Sequence, residues 1–136
     1  MLYLPPDAEN KQQKSTIDWP KRFQELAKTA KYPALKKYYE AGIASSSSPI
    51  SHVPMVAVDF ETTGMNPDKH GIISIAVIPM TLDRIHMSQA KQWIVKPRRL
   101  LTNESITIHG ITHSAIERAP DFSEIIDPLL ESVAGK

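Results

Sequence analysis

The chain has no cysteine, only five glycines and no long hydrophobic run. Without cysteine, a disulfide framework and a thiolate metal site are both excluded. No apolar stretch approaches the ~20 residues of a membrane-spanning helix, and the polar N-terminus lacks the apolar core of a signal peptide. These absences predict a cytoplasmic protein that has no membrane partner.

The charge is small in total but unevenly divided. The 136 residues carry a formal net charge of +1, and their number allows one domain at most, or part of one. Residues 1–50 contain eight Lys or Arg against five Asp or Glu, whereas residues 51–136 contain eight against ten. A basic first part beside an acidic second part is a modest indication of a polyanionic partner held through a metal ion.

Composition divides the chain into residues 1–50 and residues 51–136. The first part is predicted to be a helical extension, in which Asp18 caps one helix and Gly42 closes a second, shorter one. Four consecutive serines at 45–48 predict a flexible linker. We expect the two helices to pack on the sheet of the main domain.

Three strands are predicted in the main domain. PMVAVDF, residues 54–60, is short, apolar and β-branched, which is typical of a central buried strand. GIISIAVIPM, residues 71–80, is apolar on both faces, and SQAKQWIVK, residues 88–96, forms a plausible third strand that carries Trp93 into the core. The segment TLDR between the last two predicts a hairpin turn, so these strands are expected to be antiparallel neighbours.

Helices are predicted after the third strand, which makes the fold class α/β. TNESITIHGIT begins with a candidate cap at Thr102 or Asn103, and THSAIERAP forms a short helix that Pro120 stops. The last helix carries an apolar stripe behind a cap at Asp121 or Ser123.

Asp59 and Glu61 lie at the end of the first strand, in the string VAVDFETTGMNP. Residues two apart on a strand point to the same face, and two unpaired like charges buried there would destabilise the fold. Mg²⁺ or Mn²⁺ removes that cost, because these ions favour oxygen ligands and bind between carboxylates and phosphates. Gly64 lets the backbone approach a ligand closely. A D-x-E pair alone is common on solvated strand ends, so the whole string D-F-E-T-T-G is what indicates a metal site.

DFETTGMNP and SITIHGIT, residues 105–112, resemble two motifs of the DEDDh 3′–5′ exonucleases. This family includes the proofreading subunits of bacterial replicative DNA polymerases, and the spacing between the two motifs also agrees. The resemblance covers residues 53 to 136. It implies a partial ribonuclease H-like exonuclease domain, with three mainly antiparallel strands plus helices, behind the N-terminal helical extension.

The resemblance also implies site roles and partners. Asp59 would bridge two divalent ions, Mg²⁺ or Mn²⁺, ~4 Å apart, and Glu61 would hold the ion that carries the attacking water. Four residues are implied to contact the terminal nucleotide of the substrate: Thr62, Thr63, Gly64 and His109. The substrate would be a nucleic acid with a single-stranded 3′ end, and a polymerase or another replication or repair protein is a candidate partner.

The second and third motifs of the family are not found after His109. They supply further aspartates and a general-base histidine, and His113 has no Asp four or five residues downstream. We therefore expect a truncated domain that is inactive alone, since loss of a general base lowers rates ~10²–10⁴-fold. Its first strand would be uncovered on one side, which favours association.

Two alternatives use the same residues differently. In the first, the chain is a catalytically inactive nucleic-acid-binding or protein-interaction fragment that keeps DFETTG only as strand and turn. The second, a small-molecule α/β enzyme, is disfavoured because the sequence has no Gly-rich phosphate loop. Lys96, Arg98 and Arg99 could meet phosphates, but such a cluster is more often a solvated loop.

Overall fold

The computed structural model describes residues 17–64, 66, 68–97 and 110–136. These residues form α1 (Trp19–Thr29), α2 (Pro33–Glu40), β1 (Met55–Thr62), β2 (Ile72–Met80), β3 (Lys91–Ile94), α3 (His113–Glu117) and α4 (Phe122–Val133). The three strands make one antiparallel sheet in the order β1-β2-β3. The predicted α/β class is confirmed. Within the described part of the chain, no helix has the length and apolarity to cross a membrane.

The two N-terminal helices form a hairpin around an aromatic cluster. Asp18 caps α1 as predicted, because its carboxylate accepts a hydrogen bond from the Lys21 N–H at 3.1 Å. Phe23, on the buried side of α1, packs against the rings of Tyr38 and Tyr39 with centroids 5.6 and 5.2 Å away. Gly42, with φ 74°, follows the end of α2 where the sequence predicts a stop.

The hairpin makes its most extensive contact outside itself with α4, and not with the sheet on which the sequence predicts it to pack. α2 lies against α4, and the Tyr32 hydroxyl at the start of α2 donates a hydrogen bond to the Asp127 carboxylate. The physical reason is that α4 packs on the apolar face of β2 and presents another side to α2.

The core lies between α4 and one face of the sheet. Ile75 and Val77 of β2 are 0% exposed, and Val95 and Ile125 complete the buried cluster. Trp93 packs against this cluster, as predicted. Successive strand residues alternate between faces, so the opposite face is free to carry polar groups.

A capping box begins α4 and fixes its direction. The Asp121 carboxylate accepts from the Ser123 N–H at 2.9 Å, and the Asp121 N–H donates to the Glu124 carboxylate at 2.8 Å. Of the two predicted caps, the structure uses Asp121. The predicted short helix before it is also confirmed as α3, which Thr112 caps.

Two strand predictions need correction. β1 is not central and buried: it is the edge strand of the sheet that the described residues form, with Val58 43% and Phe60 49% exposed. An apolar run predicts burial only if other elements cover both faces, and α4 reaches only part of β1. The third strand is shorter than predicted, because residues 87–89 form a 3-10 turn before Lys91. The predicted helix around Thr102 lies outside the described residues.

Candidate active site

The β1–β2 ladder places Asp59 and Glu61 on the same face of the sheet. Asp59 pairs with Ala76 and Glu61 pairs with Ser74, and the register stays regular until a shift between Glu61 and Thr62. The strand alternation therefore holds across both carboxylates, which project to the side opposite the core. Asp59 is exposed and Glu61 is half-buried.

Among the residues that the structure describes, no cation forms an ion pair with either carboxylate. The ion pairs found in the described part of the chain are Arg22–Glu25 and Lys36–Glu40, both on the N-terminal helices. The burial cost expected from the sequence is small here, since Asp59 reaches solvent. The two side chains instead form an acidic pair on one face of β1, to which a divalent cation could bind from solvent.

The chain turns sharply after β1, and Thr63 anchors the turn. Thr63 is only 5% exposed. Its N–H donates to the Gly71 carbonyl at 2.9 Å, and its Oγ1 accepts from the Gly71 N–H at 3.0 Å. These two hydrogen bonds join the end of β1 to the residue before β2. They therefore fix the position of the turn relative to the sheet.

Gly64 follows Thr63 in a backbone conformation that favours glycine, and the imidazole ring of His70 packs against it. Its φ is 156°, and a Cβ built there would lie 2.6 Å from the His70 imidazole. The Thr62 hydroxyl donates to the Gly64 carbonyl at 2.9 Å, which closes the turn from the other side. A side chain at this position would be strained by the backbone conformation, and the His70 ring would have to move to make room for it.

The structure thus gathers five of the six predicted site residues at one strand end. Asp59 and Glu61 lie on the open face of β1, and residues 62–64 form the turn that continues the strand. Their predicted contacts to a nucleotide stay predictions. His109, the sixth, lies outside the described residues, as do Arg98 and Arg99.

Two polar side chains that sequence analysis missed lie on the same face as the carboxylates. Ser74 is 2% exposed, and its hydroxyl accepts a hydrogen bond from the Gln92 amide at 3.0 Å. Gln92 pairs with Ala76, the partner of Asp59, so the register aligns the three strands here. No sequence signal marks these residues, because only the strand register brings them beside the acidic pair.

The acidic pair fits a hard divalent cation only in part. No group of three or more His, Asp or Glu side chains suited to a metal exists among the residues that the structure describes. Two carboxylates are nevertheless sufficient protein ligands for many Mg²⁺ sites. Mg²⁺ commonly keeps several waters and is bound by one or two carboxylates together with substrate phosphates.

The α/β arrangement of this chain is similar to solved exonuclease structures with a ribonuclease H-like fold. Among solved structures, cell-death related nuclease 4 (CRN-4) matches 60% of this chain and 30% of its own with a TM-score of 0.53 at 24% identity. A 3′-exonuclease in a structure of 3′-end recognition of histone mRNA stem-loop has a TM-score of 0.50 at 25% identity, over 61% of this chain and 42% of its own.

Sequence comparison agrees with the fold. The RNase_T exonuclease family model matches residues 56–136, and this chain belongs to that family, within the DEDDh 3′–5′ exonuclease superfamily. DNA polymerase III subunit epsilon of Buchnera aphidicola subsp. Baizongia pistaciae is 34% identical over 83 residues, which are 57% of this chain and 34% of that protein. The chain therefore spans about a third of the length of this curated relative.

Proposed function

We propose that this chain is part of a metal-dependent 3′–5′ exonuclease, which releases nucleotides from the 3′ ends of DNA or RNA. The observation that carries the proposal is the acidic pair: Asp59 and Glu61 share one open face at the end of β1 and have no cationic partner among the described residues. Membership of the exonuclease family supports it.

In this proposal the chain's own groups bind and orient the end of the substrate. Asp59 and Glu61 would hold Mg²⁺ or Mn²⁺, and the bound ions would supply a water-derived nucleophile and stabilise the leaving oxygen. The turn at residues 62–64 lies beside the terminal nucleotide, and His109 contacts its sugar and phosphate. Residues 1–50 form an extension beside the nuclease portion, residues 51–136.

We further propose that the chain alone has negligible nuclease activity. Two carboxylates are half of the acidic ligands that the superfamily uses, and the described residues bring no third ligand to them. The proposed partners are a nucleic acid with a single-stranded 3′ end and a polymerase or another replication or repair protein. The matched DNA polymerase III epsilon subunits support the second. The cytoplasmic location stays a prediction from the sequence.

A second candidate is an inactive nucleic-acid-binding or protein-interaction module. It is favoured by the buried Thr63 hydroxyl, which accepts a hydrogen bond from the Gly71 N–H. The TTG segment therefore stabilises the turn, a role that requires no catalysis. In that case the acidic pair would bind divalent ions no better than other exposed carboxylates.

Mn²⁺ titration followed by electron paramagnetic resonance separates the two candidates. The exonuclease proposal expects specific Mn²⁺ binding that Asp59→Ala with Glu61→Ala removes. The matched control, Asp83→Ala with Glu131→Ala, deletes the same charge at exposed positions and should leave binding intact. Equal Mn²⁺ affinity in the acidic-pair variant and the wild type would decide for the binding module.

A gel assay with 3′-labelled single-stranded DNA and Mn²⁺ tests the expected inactivity. The chain alone should not shorten the substrate above the background of the acidic-pair variant. Robust shortening that depends on Asp59 would refute the inactivity and leave the metal assignment intact.

A further inference from the structure

His70 returns to the turn after β1 through a short loop. The Asn66 carbonyl accepts from the His70 N–H at 2.8 Å, and the Asn66 side chain accepts from the Asp68 N–H at 2.9 Å. These two bonds bring His70 and Asp68 back to Asn66, as is common for an Asn side chain in a turn. The loop therefore places the imidazole above Gly64, six positions earlier in the chain.

The imidazole makes two contacts with the turn. Its Nδ1 lies 3.3 Å from the Thr63 Oγ1, and its ring fills the space that a Cβ on Gly64 would occupy, at 2.6 Å. The Thr63 Oγ1 already accepts from the Gly71 N–H, so its own O–H needs an acceptor. The His70 Nδ1 is the ring atom within hydrogen-bond distance of this hydroxyl, and in the tautomer whose Nδ1 carries no proton it can accept from the Thr63 O–H.

Two backbone groups of the turn take part in hydrogen bonds within it. The Thr63 N–H is used by the Gly71 carbonyl, and the Gly64 carbonyl is used by Thr62. The Gly64 N–H has no partner among the residues that the structure describes. A free N–H at a glycine turn is a donor for an anion or a nucleotide oxygen.

We propose that His70 is a positioning residue of the nucleotide site. Its imidazole hydrogen-bonds to Thr63 and packs on Gly64, and thereby holds the turn so that the Gly64 N–H can donate to the terminal nucleotide. The inference rests on the proposed exonuclease function, because it takes a nucleotide to be the ligand of this turn. His70 does not touch the reacting atoms in this scheme and acts through the turn.

The contact itself is tested by a double-mutant cycle on stability. Gly64→Ala should destabilise the wild type through the clash with the ring and through its φ, but destabilise His70→Ala less, because the clash is then absent. Additive effects of the two substitutions would show that the ring does not pack on Gly64 and would overturn the proposal.

The functional role is tested by titration of the full chain with a nucleoside 5′-monophosphate in Mn²⁺, followed by NMR. His70→Ala should weaken nucleotide binding about tenfold, which corresponds to ~1.4 kcal/mol, while Mn²⁺ affinity stays at the wild-type value. His70→Asn, which keeps an acceptor near the Nδ1 position, should recover part of the loss. His52→Ala, at an exposed histidine outside the turn, is the matched control.

The outcomes separate this inference from the function on which it rests. Unchanged nucleotide affinity in His70→Ala, with Mn²⁺ binding intact, overturns the role of His70 alone. Wild-type protein that binds Mn²⁺ but no nucleotide also overturns it. Wild-type protein that binds no Mn²⁺ at the acidic pair overturns the proposed exonuclease function.

Discussion

The hydroxyl of Tyr32 donates a hydrogen bond to the carboxylate of Asp127, and so joins the N-terminal hairpin to α4 across 95 positions of the chain. This bond, with the attraction of the adjacent negative charge for the phenolic proton, raises the pKa of Tyr32. The same helix, α4, packs its other side on the core of the sheet. The hairpin is thereby connected to the helix that covers the core face of β2.

Alkaline pH should weaken this connection. Because the pKa of Tyr32 is higher in the folded than in the unfolded chain, its stabilising contribution is complete below the unfolded value of ~10 and is lost as the pH rises through the folded value. The difference in unfolding free energy between wild type and Tyr32→Phe should therefore shrink above about pH 10. Denaturant unfolding at a series of pH values measures it, and Asp127→Asn should lower the pKa of Tyr32 in an absorbance titration at the phenolate band. A difference that grows with pH would contradict the assignment.

Shortening a buried side chain of β2 should strongly lower the free energy of unfolding. Ile75 is 0% exposed and belongs to the cluster under α4, so Ile75→Ala is expected to lower the free energy of unfolding by ~2–5 kcal/mol. Ile85→Ala, at a residue that is 60% exposed, should change it by less than about 0.5 kcal/mol. Urea denaturation of the two variants tests whether the sheet face is buried as described. Similar losses at both positions would speak against the core.

Removing the α4 cap should destabilise the helix on which both the sheet and the hairpin rest. Asp121→Ala is expected to lower the free energy of unfolding by about 1 kcal/mol, because the Ser123 N–H loses its acceptor. Asp121→Asn keeps an oxygen acceptor and should retain most of the stability. Thermal unfolding by circular dichroism compares them. Equal loss in both variants would indicate that charge, and not capping, is the dominant contribution.

The exposed edge of β1 should favour association. Val58 and Phe60 expose apolar surface on a strand whose second edge has no partner among the described strands, and the eight residues of β1 contain no Lys or Pro. Phe60→Lys should shift the molecular mass measured by light scattering toward the monomer. Leu82→Lys, an equally exposed apolar residue in the β2–β3 connection, serves as control and should have little effect. A monomeric wild type at high concentration would show that the edge is protected.

Much of the local structure was predictable from local rules. Asp18 before Pro20, Gly42 after α2 and Asp121 before an apolar stripe are signals that act within one turn of the backbone, and each marks an end that the structure has. The predictions that failed concern the position of a strand within the sheet and how far other elements cover it. The composition of PMVAVDF is the same whether its strand is central or at an edge, so the exposure of Phe60 was not accessible to pattern analysis.

The sequence by itself determined that Asp59 and Glu61 share a face, since strand alternation depends only on chemistry two residues apart. It also determined the family, through the string DFETTG and its neighbours. Only the tertiary structure decided that β1 lies at the sheet edge, that α2 rests on α4, and that His70 packs on Gly64. Those relations depend on long-range contacts between surfaces, and such contacts are selected by the shape of the whole core and loops, which no short segment encodes.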